Sequence, residues 1–214
     1  MNRKNLRSLA AGVALLLAVG ALAGCGGEKK ADDSKKMVTV GIAQLVEHGA
    51  LDAANKGFVA GMASKGFKEN ENVKYDRQNA QADQSNLQNI AQRFVSNKVD
   101  LICAIATPTA QTMANATKDI PIVATAVTDY EVAKLAASNN EPKGNVTGTS
   151  DMNPIDQQLE LLLKIAPQTK NIGTVYSSSE VNSQLQVDVL KKLAGDKGIN
   201  VIKATVSTVN DIQQ

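Results

Sequence analysis

Short runs of consecutive apolar residues alternate along this chain with longer stretches whose apolar residues recur every three or four positions. That alternation narrows the possible folds more than any other feature. Residues 99–106 (VDLICAIA) are apolar except for Asp100, as a strand covered on both faces must be. Comparable strands are predicted over 37–43, 73–77, 120–127, 146–150, 172–176 and 199–206. Between them lie helical stripes. Leu51, Ala54, Phe58 and Met62 form one that ends near Gly66, and Leu87, Ile90, Ala91, Phe94 and Val95 form another. Thr107-Pro108 predicts a third helix, with Thr107 as its cap and Pro108 in its first turn. A short helix is predicted over 129–137. Asn153-Pro154-Ile155-Asp156 opens a helix with the stripe Ile155, Leu159, Leu162, Leu163 and Ala166. Leu185, Val189, Leu190 and Leu193 mark a further helix closed by Gly198, and Thr208 with Asp211 reads as a capping box opening one more. Repeated strand–helix units dictate an α/β fold with parallel sheets and helices on both faces. Residues 37–150 suffice for one complete α/β lobe. Residues 151–214 supply only part of a second, because a typical domain needs ~100–150 residues.

The start of the chain carries a different message. Arg3, Lys4 and Arg7 precede an almost wholly apolar or small stretch, which ends in Leu22-Ala23-Gly24-Cys25. The apolar segment is too short to span a bilayer and has the flanks of an export signal. The four closing residues resemble the bacterial lipobox, in which the cysteine is acylated and becomes the new N-terminus. Residues 1–25 are therefore expected to be a lipoprotein signal peptide, with Cys25 lipidated and the protein held at the extracytoplasmic face of the bacterial cell membrane. The alternative is an ordinary secretory peptide with an incidental cysteine. Residues 26–36 (GGEKKADDSKK) lack apolar periodicity and read as a flexible tether.

The net charge of +2 belongs to that signal, since setting Arg3, Lys4 and Arg7 aside leaves the remainder near neutral. A near-neutral chain with no Trp and 3% aromatics lacks the basic faces and stacking rings that nucleic acid demands. With Cys25 acylated, Cys103 has no disulfide partner and reads as an inert buried thiol. One His and one remaining Cys cannot build a zinc site of the His/Cys type. Neither a metal nor a cofactor is expected.

Ligands of open parallel sheets bind beyond the carboxyl ends of strands. Those ends carry Gln44, Glu47 and His48, then Thr107, Pro108 and Thr109, then Thr128 and Asp129, and in the second lobe the stretch 177–183 with Glu180, Asn182 and Ser183. Several of these loops run into helix N-termini, where free N–H groups and the dipole favour a carboxylate. An ammonium would seek Glu47, Asp129, Asp151 or Glu180. Each residue also has a plainer reading. Thr107 and Asp129 can be helix caps, His48 a loop histidine, and Asp151 and Glu180 solvated charges. The chain has no G-x-S-x-G, no G-x-G-x-x-G after its first strand and no G-x-x-x-x-G-K-[ST], which weakens an enzyme reading.

Six blocks in order are QLVEHGALD from Gln44, QNAQ from Gln78, AIATPTAQ from Ala104, TAVTD from Thr125, GNVTGTSD from Gly144 and YSSSEVNS from Tyr176. Together they resemble the substrate-binding lipoproteins of ABC importers of the tryptophan/tyrosine type, over 38–214. The resemblance implies a type I periplasmic-binding-protein fold, two doubly wound lobes closing on a ligand, with the second incomplete in this chain. It implies cleft residues Gln44, Glu47, His48, Thr107, Pro108, Thr109, Thr128, Asp129, Asp151 and 180–183, with no catalytic residue. It also implies a small ligand, an amino acid and in the type family an aromatic one, handed to a membrane permease. Gly49 and Tyr130 stand where the family often has Pro, and Ser177 where Asn is frequent. Two other readings remain open at this point: an exported ligand-sensing lipoprotein, and an exported α/β hydrolase.

Overall fold

The computed structural model describes residues 37–142, 144–207 and 211–212. The expected signal peptide with Cys25, the expected tether and Thr208 of the predicted capping box lie outside the described residues. The first sheet contains five parallel strands: β1 (Val38–Gln44), β2 (Val73–Asn79), β3 (Leu101–Ile105), β4 (Ile122–Val127) and β5 (Val146–Ser150), in the order β2-β1-β3-β4-β5. Helices α1 (Gly49–Ser64), α2 (Gln84–Ser96) and α3 (Thr107–Ala116) connect them. Downstream, α4 (Ile155–Ile165) leads to β6 (Asn171–Ser177), α5 (Val181–Gly195) and β7 (Asn200–Val206), where β6 and β7 form a second parallel sheet.

Period-two alternation places successive side chains of one strand in different cores. Val40 and Ile42 of β1, with Cys103 and Ile105 of β3, face one core that Leu51, Phe58 and Met62 of α1 help to cover. Ala43, Ile102 and Ala104 face the other, packed with Leu87, Ile90 and Phe94 of α2 and Met113 of α3. Gly41 is required by this second layer, because a Cβ there would sit 2.7 Å from the Phe94 ring. Burial holds the Cys103 thiol up at about 12, which suppresses thiolate and fits an inert core residue. The second lobe is built on Leu159, Ile172, Ala194 and Ile199.

Three local expectations are corrected. The predicted helix over 129–137 is a succession of turns, with Lys134 at φ 58. Its backbone is closed by separate turn bonds such as Ala133 N to Asp129 O and Leu135 N to Tyr130 O, and the Asp129 and Asn139 side chains hold its start. Thr107 does not cap α3. Ala106 occupies the cap position at φ 90, and Thr107 is already the first helical residue. Similarly, α4 begins without a side-chain cap, and Asn153 Nδ2 donates instead to Gln186 Oε1 on α5.

Candidate functional site

The strand order creates a switch point. From β1 the chain passes to β2 on one side, then crosses to β3 on the other, so the loops after β1 and β3 diverge and leave a crevice beyond the strand ends. Register brings the candidates to the same edge. Gln44 pairs with Ile105, Ile105 with Thr125, and Val127 with Ser150. The segments carrying Gln44–His48, Thr107–Thr109, Thr128–Asp129 and Asp151 therefore lie along one end of the sheet. Glu180, Asn182 and Ser183 occupy the corresponding carboxyl end of β6 in the second sheet.

Along that edge the loops differ in whether their polar atoms already have partners. Gln44 is buried, and its amide is fully engaged. Nε2 donates to Val46 O at 2.9 Å and to Asp52 Oδ1 at 2.6 Å, and Oε1 accepts from Asn55 Nδ2 at 3.1 Å. Asp52 and Asn55 share one face of α1, three residues apart. Their spacing was the available signal for this network, which the sequence reading missed. Glu47 and His48 are exposed. His48 caps α1, its Nδ1 accepting from Ala50 N at 3.2 Å. In the neutral ring this places the proton on Nε2. Thr128 is buried, and its carbonyl accepts from Ser150 Oγ at 2.7 Å. Asp129 uses both oxygens inside its own loop: Oδ1 accepts from Val132 N at 2.8 Å and Oδ2 from Asn139 Nδ2 at 2.9 Å. Asp151 is exposed, with its N–H donating to Val127 O at 3.1 Å.

The loop after β3 is different. Thr107 is 2% exposed and Thr109 0%, yet neither hydroxyl has a hydrogen-bond partner. Unpaired buried hydroxyls cost about 1–3 kcal/mol each. The φ of 90 at Ala106 is a further strain of about 1–3 kcal/mol. Both costs fall at the N-terminus of α3, beside the switch point. Pro108 has no N–H, and the Ala110 N–H is engaged with Ala106 O at 3.0 Å, which leaves the Thr109 N–H at this helix start. In the second lobe Asn182 Oδ1 is buried and unpartnered, while Glu180 Oε2 accepts from Ser183 Oγ at 3.2 Å. Three sequence-predicted residues thus carry buried polar atoms without a hydrogen-bond partner, two hydroxyls in the first lobe and one acceptor in the second; away from these loops the Tyr75 hydroxyl is also unpartnered.

Among the described residues no group of three or more His, Cys, Asp or Glu could hold a metal ion. No described helix is long and apolar enough to cross a membrane. A cavity of about 430 Å³ lies away from this crevice, between α2 and α3, lined by residues including Gln84, Gln88, Gln92 and Asn115.

A family model described as ABC transporter substrate binding protein matches residues 39–214. A tyrosine-binding protein of Clostridioides difficile (strain R20291) is 47% identical over 221 residues, covering 100% of this chain and 63% of that protein. Thus the chain spans about 63% of the length of its curated relative. An ABC domain from Streptococcus pneumonia in complex with L-Trp superimposes with a TM-score of 0.80 at 42% identity, covering 83% of this chain and 60% of that one. A ligand-free, open substrate-binding protein with adhesive properties from Clostridium difficile is more identical, at 49%, but superimposes less well, at 0.64 over the same shares.

Proposed function

The chain belongs to the ABC transporter substrate-binding protein family, and on that premise we propose that it captures an amino acid between its two α/β lobes for delivery to a membrane permease. The carrying observation is the pair of buried, unpartnered hydroxyls of Thr107 and Thr109 at the switch point. A ligand carboxylate at this helix start would be held by the Thr109 N–H and the α3 dipole, and reaching the two hydroxyls requires the loop to shift, since neither has accessible surface here. Asn182 Oδ1, an acceptor without a donor, suits the ligand ammonium, and the Glu180 carboxylate beside it supplies charge. Glu47, His48, Pro108, Thr128, Asp151 and Ser183 line the path around these contacts, with Gln44 and Asp129 holding the loops. Ligand contacts to both lobes exist only in the closed arrangement, so binding draws the lobes together.

An aromatic amino acid is the favoured ligand class, supported by the L-Trp complex and the tyrosine-binding protein among the relatives. The site performs no chemical step, so ligand is released unchanged. Anchoring proceeds through Cys25: removal of residues 1–24 and acylation of the thiol place the protein at the extracytoplasmic membrane surface. A thermal-shift and calorimetric panel of amino acids on the full chain tests the binding assignment, since a ligand that binds only the folded state raises its stability. Saturable stabilisation by tyrosine or tryptophan is expected; no response to any amino acid would refute it. For the anchor, mass spectrometry should find acylated Cys25 as the first residue, and Cys25→Ala should abolish membrane retention.

A further inference from the structure

Strands β4 and β5 do not pair evenly. Ala124 faces Gly148, but the next pair is Val127 with Ser150, so β4 carries one extra residue. Within the irregularity Ala126 has φ 55. A bulge of this kind interrupts the ladder and leaves carbonyls to find other donors. Tyr130 supplies one. Its hydroxyl donates to Ala124 O at 2.9 Å and to Thr149 O at 3.2 Å, joining the two strands where their own ladder fails. The ring is 6% exposed. Gly148 makes room for it, because a Cβ there would lie 1.9 Å from Ala124 O and 2.2 Å from the Tyr130 hydroxyl oxygen.

The ties to β4 continue for two residues and then stop. Ser150 Oγ donates to Thr128 O at 2.7 Å and Asp151 N to Val127 O at 3.1 Å. Beyond Asp151 the bonds turn inward or toward the second lobe. Met152 N donates to Ser150 Oγ, Ile155 N to Asn153 O, and Asn153 Nδ2 to Gln186 on α5. We propose that Tyr130 is a positioning residue for lobe closure, its hydroxyl locking the β4–β5 irregularity so that the passage between lobes bends at residues 152–154 and not earlier. The inference rests on the two-lobe binding reading. Burial, then the Asp151 charge, push the Tyr130 hydroxyl up to about 12, so the proton it donates is retained at neutral pH.

The test is made without ligand. In the full chain carrying Cys25→Ser, spin labels at the exposed positions Asn89→Cys on α2 and Lys192→Cys on α5 report the spread of inter-lobe distances. Tyr130→Phe keeps the ring and removes the clamp. Its distance distribution should widen roughly twofold as the pivot spreads into β5. Tyr176→Phe removes another tyrosine hydroxyl bond, to Gln184 at 2.7 Å within the second lobe. It should lower the melting temperature and leave the width unchanged, so a structural loss alone does not imitate the effect. An unchanged width in Tyr130→Phe overturns the proposal, as does equal widening in both variants. Failure of amino-acid binding is a separate result, seen as the absence of a thermal shift in the wild type.

Discussion

Three loops at one edge of the first sheet have similar compositions and opposite states. After β1 and β4, Gln44 and Asp129 are surrounded by partners of their own: Asp52, Asn55 and Val46 for one, Val132 and Asn139 for the other. After β3, Thr107 and Thr109 are buried, more deeply than the half-buried Asp129, but have none. A buried polar group without a partner is tolerated when something outside the chain supplies it. On the proposed binding function, the contrast separates residues that build the crevice from residues that would contact its contents. Removing a builder should cost the fold, whereas removing a waiting group should cost binding and leave the fold intact or better.

The largest effect is expected at Gln44. Gln44→Ala strips partners from Asp52 Oδ1, Asn55 Nδ2 and Val46 O together, and should destabilise the protein by about 2–3 kcal/mol in urea denaturation. A cost under about 0.5 kcal/mol, the level of an ordinary surface change, would erase the distinction and return Gln44 to the ligand-contact group.

Thr107→Val follows, with the opposite pattern. Valine matches threonine in shape and removes the unpaired hydroxyl. Affinity for the bound amino acid should fall by about 1.5–3 kcal/mol, the range for a hydrogen bond to a charged group. Urea stability should stay level or rise, because no cap is lost: the hydroxyl makes no capping bond. Calorimetry showing unchanged affinity would leave the β3 loop as unexplained strain. A stability loss would mean that the hydroxyl has a partner within the fold.

Asp129→Ala should be milder, at about 1 kcal/mol of stability for the lost turn cap, with a smaller loss of affinity than Thr107→Val. An affinity loss larger than that of Thr107→Val would place Asp129 among the ligand contacts and blur the two groups.

These assignments show where sequence reading reached and where it stopped. Strands β3 and β4 were legible because each is a near-contiguous apolar run, and β5, though VTGTS is mostly polar or small, was delimited to the residue at Val146–Ser150. The strand ends brought the candidate loops to one end of the sheet, because that placement follows from parallel topology rather than from any motif. Which hydroxyl is paired was not legible. Thr-Pro ahead of a helix pattern reads as a cap, and nothing in the letters shows that Ala106 adopts φ 90 and begins the helix one residue early. The 129–137 stretch has helical composition, but Tyr130 is drawn into β4–β5 and Asn139 grips both Asp129 and the Tyr130 N–H. Those contacts span up to 19 residues of chain, beyond the reach of local periodicity.

The smallest effect concerns pH and sharpens the self-satisfied side of the contrast. Burial and the Asp151 charge raise the Tyr130 hydroxyl from 10.0 to about 12 in the folded protein. A raised folded value means the proton is held more tightly in the native state. Its stabilising share is complete below the unfolded value near 10 and is lost as pH climbs through about 12. Lysine titration also lowers stability in this range, but it is common to wild type and variant. The melting temperature of wild type should therefore fall more steeply than that of Tyr130→Phe once pH exceeds about 10, while below that the wild type should be the more stable of the two. Parallel alkaline limbs would mean that the hydroxyl titrates as it does in the unfolded chain, and that the β4 loop is less closed upon itself than its hydrogen bonds indicate.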